Sequence, residues 1–261
     1  MNIPVDKRAV LIAACLASFL TPFMGSSINI ALPSIGEEFA LDAILLNWVS
    51  TSYLLASAMF LLPMGKIADI YGRKRIFLAG IFIFTVSSLM AALSFNAGFL
   101  ITVRIIQGLG SSMVFTTGVA ILTSVFSPGE RGKVLGISVA TVYLGLSMGP
   151  FIGGILTEHL GWRSIFLAVV PIGILGIYLT AARIKGEWAE AGGERIDLAG
   201  CALYAATLLI TMYGLSRLPS AYGLCLISLG IVGLACFLSW ESRVHNPVLD
   251  ISLRSEERRV G

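Results

Sequence analysis

The chain has 261 residues, 56% of them hydrophobic and only 13% charged, with a formal net charge of +3. A water-soluble fold of this length needs far less apolar surface, so most of its surroundings are expected to be lipid. Long uninterrupted apolar runs exclude a β-barrel, whose strands alternate in polarity, and no nucleic-acid partner is expected.

A membrane-spanning helix takes about 20 apolar residues at roughly 1.5 Å rise each. The sequence predicts eight, near 8–31, 46–65, 76–95, 98–124, 134–157, 163–183, 196–216 and 221–241, an all-α integral membrane protein. The first follows Lys7 and Arg8, as a signal peptide would. No small-x-small cleavage site follows its apolar run, and further apolar segments come after it, so it is read as a retained helix. Fifteen of the eighteen Lys and Arg residues fall on one side when the N-terminus is placed in the cytoplasm; Arg163 and Arg217 fall outside and Arg104 lies within a span. Basic residues resist translocation, so both termini are expected to be cytoplasmic, with an acidic outer loop at Glu37, Glu38 and Asp42.

Cys15, Cys201, Cys225 and Cys236 sit in apolar segments without the spacing of a zinc or redox pair, and no metal or cofactor is expected. No nucleophile, metal set or paired acid lies at membrane depth, so no enzyme is expected either. Residues 1–185 form the first six predicted spans. The polar stretch 186–195 is expected to be a cytoplasmic linker, 196–242 a further helix pair turning at Arg217-Leu218-Pro219-Ser220, and 243–261 a cytoplasmic tail with His245 solvated.

Three motifs carry the functional reading. Gly65-Lys66-Ile67-Ala68-Asp69-Ile70-Tyr71-Gly72-Arg73-Lys74-Arg75 joins the second and third spans. Its Gly65 admits a close helix, and Asp69 is placed to pair with Arg73 and to accept from a helix N-terminus. In the fourth span Arg104 precedes Gln107, Gly108, Gly110 and Ser112, with Gly108, Ser112 and Thr116 on one face. A membrane arginine is a functional residue by default, or else one that bonds backbone carbonyls of neighbouring helices. The fifth span carries Gly145, Gly149 and Gly153 at intervals of four, a face bare of side chains, together with Pro150 and Gly154. Pro150 removes the hydrogen bond to the Leu146 carbonyl.

These segments resemble, in turn, the G-x-L-A-D-x-x-G-R-K, R-x-x-x-G-x-G and G-x-x-x-G-P-x-x-G-G motifs of the major facilitator superfamily. The ends of the first two spans and Trp162-Arg163 resemble its fourteen-helix drug:proton antiporters. The resemblance implies an N-terminal six-helix bundle plus an inserted helix hairpin. It also implies a cytoplasmic latch at Gly65, Asp69, Gly72, Arg73 and Lys74, proton transfer at Arg104, and export of amphipathic drugs or metabolites across the plasma (inner) membrane by alternating access. A basic loop that only sets topology is the alternative reading of the latch. Solute uptake, a non-transport receptor and an inactive fragment are alternatives to export. Membrane lipid, a small amphipathic substrate, protons and a missing C-terminal transporter half are the implied partners, and the tail from Arg254 to Gly261 does not resemble the family's continuation. Ser26, Asn29, Tyr53, Gln107, Thr141 and Tyr143 are the polar residues expected to line a cavity or to hydrogen-bond between helices, and Trp162 is expected to anchor at the membrane interface. The acid that the antiporters carry at the first-span position is Met24 here, and no Asp or Glu falls in the middle of any predicted span.

Overall fold

The computed structural model describes residues 6–189, 191–194, 196–244 and 247–249. Those residues form eight helices and no strand: α1 Lys7–Phe39, α2 Ala43–Tyr71, α3 Arg73–Ala92, α4 Ala97–Val125, α5 Pro128–Leu160, α6 Arg163–Arg183, α7 Leu198–Leu215 and α8 Ala221–Glu241. All eight are long and apolar enough to cross a membrane. The expected linker falls partly outside the described residues, and most of the expected tail, His245 included, does as well.

Several helices extend past their predicted ends because polar residues cap them. Asp6 accepts from the amides of Arg8 and Ala9, so α1 begins at Lys7, one residue before the predicted start; its longer extension is at the other end, to Phe39. Ser127 and Glu130 form a reciprocal capping box, with Pro128 in the first turn, and α5 therefore starts about two turns before the apolar run. Asp42 caps α2 through the Leu45 amide. The expected acidic outer loop is accordingly corrected. Glu37 and Glu38 lie in the last turn of α1, and Asp42 is a helix cap.

The expected loop between the second and third spans also shrinks to one residue. Gly65 to Tyr71 continue α2, and Gly72 alone, at φ +111°, turns the chain into α3. Only glycine takes that backbone conformation without strain.

Packing pairs α1 with α5 and α6, and pairs α4 with α2 and α3. One apolar cluster gathers Leu20, Met24, Tyr53, Phe84 and Phe166; another gathers Ala13, Phe77, Ile121 and Ile184. Helices α7 and α8 pack on each other and reach the rest through α2. There Tyr204 donates to the Ala58 carbonyl at 3.2 Å, and Trp48 lies 6.5 Å from Tyr213 between ring centres. Gly214 and Gly223 sit where the α7 and α8 backbones come closest, too near for a side chain on either.

Candidate functional site: a polar core beside an uncharged concavity

The glycines at intervals of four in α5 face α1. A methyl group at Gly145 would overlap the Phe19 carbonyl, one at Gly149 the Ser26 hydroxyl, and one at Gly153 the Ser27 side chain. The two backbones therefore meet along three turns, a contact that only small residues permit. Gly154 points beside this seam and meets only Ile30 at van der Waals distance. Helix α5 runs unbroken through Pro150, which is exposed. Gly108 does the same service on α4, lying against the backbone of Tyr53 and Ser57 in α2, while Gly110 lies against α3 at Gly80 and Phe84. Gly65 meets Thr116 on the face that α4 turns to α2.

Between α1, α2, α4 and α5 lies a concavity of about 430 Å³. Its wall is built from Thr21, Pro22, Gly25, Ser26 and Asn29 of α1, Tyr53, Leu54 and Ser57 of α2, Ser111 and Phe115 of α4, and Val142 and Leu146 of α5. No charged residue is among them. The polar groups hold one another in place. Ser50 donates to the Asn29 carbonyl oxygen at 3.0 Å, Ser26 donates to the Pro22 carbonyl at 2.9 Å, and the Tyr53 hydroxyl lies 3.0 Å from both the Thr21 carbonyl and the Ser111 hydroxyl.

Three residues expected to line a cavity do not line this one; among them, Thr141 donates to the Ile137 carbonyl of its own helix at 2.8 Å. Gln107 is fully buried among α2, α3 and α4, held there by Arg104. Tyr143 is 64% exposed and lies outside the concavity, because Val142 and Leu146 carry the α5 wall.

Among the described residues, Arg104 is the largest side chain with no exposed surface. Its Nε donates to the Val49 carbonyl of α2 at 3.2 Å and its Nη1 to Gln107 Oε1 at 2.6 Å. Gln107 in turn donates to Ser88 of α3 at 2.7 Å, and Ser88 to the Phe84 carbonyl at 2.7 Å. The guanidinium group lies 4.2 Å from the centre of the Tyr53 ring, with Phe166 on another side at 6.0 Å. A ring face attracts a desolvated cation by about 2 kcal/mol, which offsets part of the cost of burial. Each acceptor in this set is neutral. Arg104 thus stands one ring behind the concavity, separated from it by Tyr53.

Met24 is also fully buried, within the apolar cluster. A carboxylate there would meet no water, and the thioether suits the site.

At the α2–α3 turn, Asp69 Oδ1 accepts from Arg73 Nε and Nη2, each at 2.8 Å, and Arg73 Nη1 donates to Ser124 of α4 at 2.8 Å. The turn is thereby tied to α4. The pairing of Asp69 with Arg73 is the one its spacing suggested, and α3 receives no side-chain capping bond at Gly72.

At the opposite end, Trp162 is 3% exposed and donates to Glu38 at 2.7 Å. Arg163 makes paired bonds to the same carboxylate at 2.8 and 2.6 Å and a further one to the Ser94 carbonyl at 2.8 Å. The expectation of an interfacial anchor is corrected, since this indole is buried among Phe39 and Phe166. Glu38 was missed as a partner because it lies 125 positions from Arg163. The only sequence signal was an acid and a Trp-Arg pair, each at the outer end of a predicted span.

Residues 14–249 match the Major Facilitator Superfamily. The chain belongs to that superfamily. It is 35% identical over 233 residues to the riboflavin transporter RibZ of Clostridioides difficile, covering 89% of this chain and 50% of that protein. It is 37% identical over 240 residues to the cephamycin export protein CmcT of Amycolatopsis lactamdurans, covering 89% and 49%. It is 32% identical over 256 residues to the puromycin resistance protein pur8 of Streptomyces alboniger, covering 96% and 51%. The chain therefore spans about half the length of these relatives.

Proposed function

We propose that the chain supplies the N-terminal half of a secondary transporter that exports amphipathic compounds in exchange for protons, with both termini on the cytoplasmic side of the plasma membrane. In this reading residues 1–185 are the moving half, 186–195 a linker and 196–242 an inserted helix pair. A C-terminal half closes the concavity and rocks against it. The observation that carries the reading is the uncharged, mixed aromatic and hydroxyl wall beside the α1–α5 glycine seam. Such a wall suits planar or amphipathic molecules, which gain from apolar burial and need few fixed hydrogen bonds. Relatives named for cephamycin export and puromycin resistance support the same direction.

Proton coupling rests on the motif resemblance and on Arg104. No carboxylate lines the concavity among the described residues, so in the proposed cycle either the titrating group lies outside this sequence or coupling does not use a buried acid. The test is drug efflux by the full-length protein in reconstituted vesicles. Efflux is expected to collapse when the proton gradient is discharged, and efflux that continues unchanged without a gradient overturns the coupling. The relative named as a riboflavin transporter favours a second reading, movement of an aromatic nutrient. Accumulation of such a solute inside cells that express the full-length protein would favour it over export.

A further inference from the structure

The segment after α6 does not hang free of the helices. Ile184 is buried in the apolar cluster with Phe77 and Ile121, and Trp188 packs against that cluster. Beyond this anchor the chain lies on the α2–α3 turn and satisfies groups there that nothing nearer in sequence reaches. The Trp188 carbonyl accepts from the Arg73 amide at 2.8 Å, and Glu187 Oε1 accepts from the Lys74 amide at 2.8 Å. Arg73 and Lys74 open α3, so these are two of the four amides that a helix N-terminus leaves without an internal partner.

The contact continues along the segment. The Ala191 amide donates to the Asp69 carbonyl at 2.9 Å, Glu194 pairs with Lys66 at 2.6 Å, and Glu187 Oε2 lies 3.5 Å from Arg75 Nε. The Glu187 carboxyl also fills the space over Gly72 that any side chain there would need. The signature motif and the segment are thus complementary in charge, backbone hydrogen bonding and shape.

From this geometry we infer that Glu187, Trp188, Ala191 and Glu194 form an acidic clasp for the signature motif, an intramolecular ligand that caps α3 and covers the motif's backbone and cations. The clasp is reversible. Its ion pairs are part-exposed, with side chains 15% and 40% accessible at Lys66–Glu194 and 77% and 31% at Arg75–Glu187. Such pairs are individually weak and screened by salt. Its cap acts at an aqueous helix end, where water can replace the carboxylate when it leaves. Opening uncovers the Arg73 and Lys74 amides and releases Lys66, so the motif becomes available to another acidic partner. The clasp also ties the chain entering α7 to the α2–α3 turn. The inference concerns a contact within the chain and stands whether or not the transport reading holds.

The test uses the full-length protein in nanodiscs with two readouts, neither of which measures transport. Hydrogen exchange is followed at the amides of Arg73, Lys74 and Ala191 at low and high salt, and in Glu187→Gln/Glu194→Gln. Loss of a cap and an exposed pair is expected to accelerate exchange about fivefold, with high salt producing part of the same change in the unaltered protein. The second readout pairs Ile70→Cys with Ala191→Cys in a background where Cys15, Cys201, Cys225, Cys236 and any cysteine elsewhere in the full-length protein are alanine. Disulfide formation is expected to be fast and to slow about fivefold when Glu187 and Glu194 are neutralised. Fast exchange at all three amides in the unaltered protein overturns the clasp. A disulfide rate indifferent to both salt and the two acids overturns the role of charge.

Discussion

Arg104 and Arg73 each hold a guanidinium group against an oxygen within one helical turn, yet the oxygens differ in kind. Arg73 has the carboxylate of Asp69, itself 38% accessible, at the end of a helix. Arg104, with no exposed surface, has an amide oxygen, a backbone carbonyl and two aromatic faces. At a helix end the carboxylate keeps part of its hydration, so the ion pair is tolerated even though the Arg73 side chain is only 10% accessible. At bilayer depth a second formal charge would bring its own desolvation cost, and here the cation is spread over neutral dipoles and π faces instead. The difference separates a charged pair at a helix end from a neutral shell inside.

That contrast can be broken at several points, the deepest first. Gln107→Leu strips Arg104 Nη1 of its acceptor and Ser88 of its donor while preserving volume. It is expected to lower stability by about 3 kcal/mol, read by reversible unfolding in mixed micelles. Arg104→Lys keeps the charge but loses the fork that reaches Val49 and Gln107 together, and about 2 kcal/mol is expected in the same assay. Asp69→Asn at the edge should cost about 1 kcal/mol, falling as salt is raised, whereas the Gln107 effect should be insensitive to salt. Glu194→Gln, with one exposed pair at stake, should cost less than about 0.5 kcal/mol. A larger salt dependence for Gln107→Leu than for Asp69→Asn would show that the two arginines had been assigned to the wrong environments.

The helices were readable because lipid imposes a long apolar run on every span. Their ends were less so, since Asp6, Asp42 and the Ser127–Glu130 capping box extend α1, α2 and α5 past the hydropathy limits. Spacing alone gave the face on which Gly145, Gly149 and Gly153 meet α1, as a repeat of four must lie on one side of a helix. It also gave the pairing of Asp69 with Arg73. Spacing could not say which face of α4 meets the concavity, and so Gln107 was grouped with Tyr53 although it is held behind it. The partners of Arg163 and Lys74 come from distant segments, Glu38 and Glu187, which no local pattern connects.

The neutral shell of Arg104 also bears on how the protein is made. An arginine within a membrane helix is costly to insert, and α4, which begins at Ala97, would carry that cost at Arg104 if it entered the bilayer by itself. Val49 and Tyr53 lie in α2, Ser88 in α3 and Gln107 in α4 itself, so every group that bonds or stacks on Arg104 except Phe166 precedes it in the chain or arrives with it. The order of helices along the chain thus matches the order in which α4 needs them, since the groups that offset the cost of Arg104 are synthesised before it or with it.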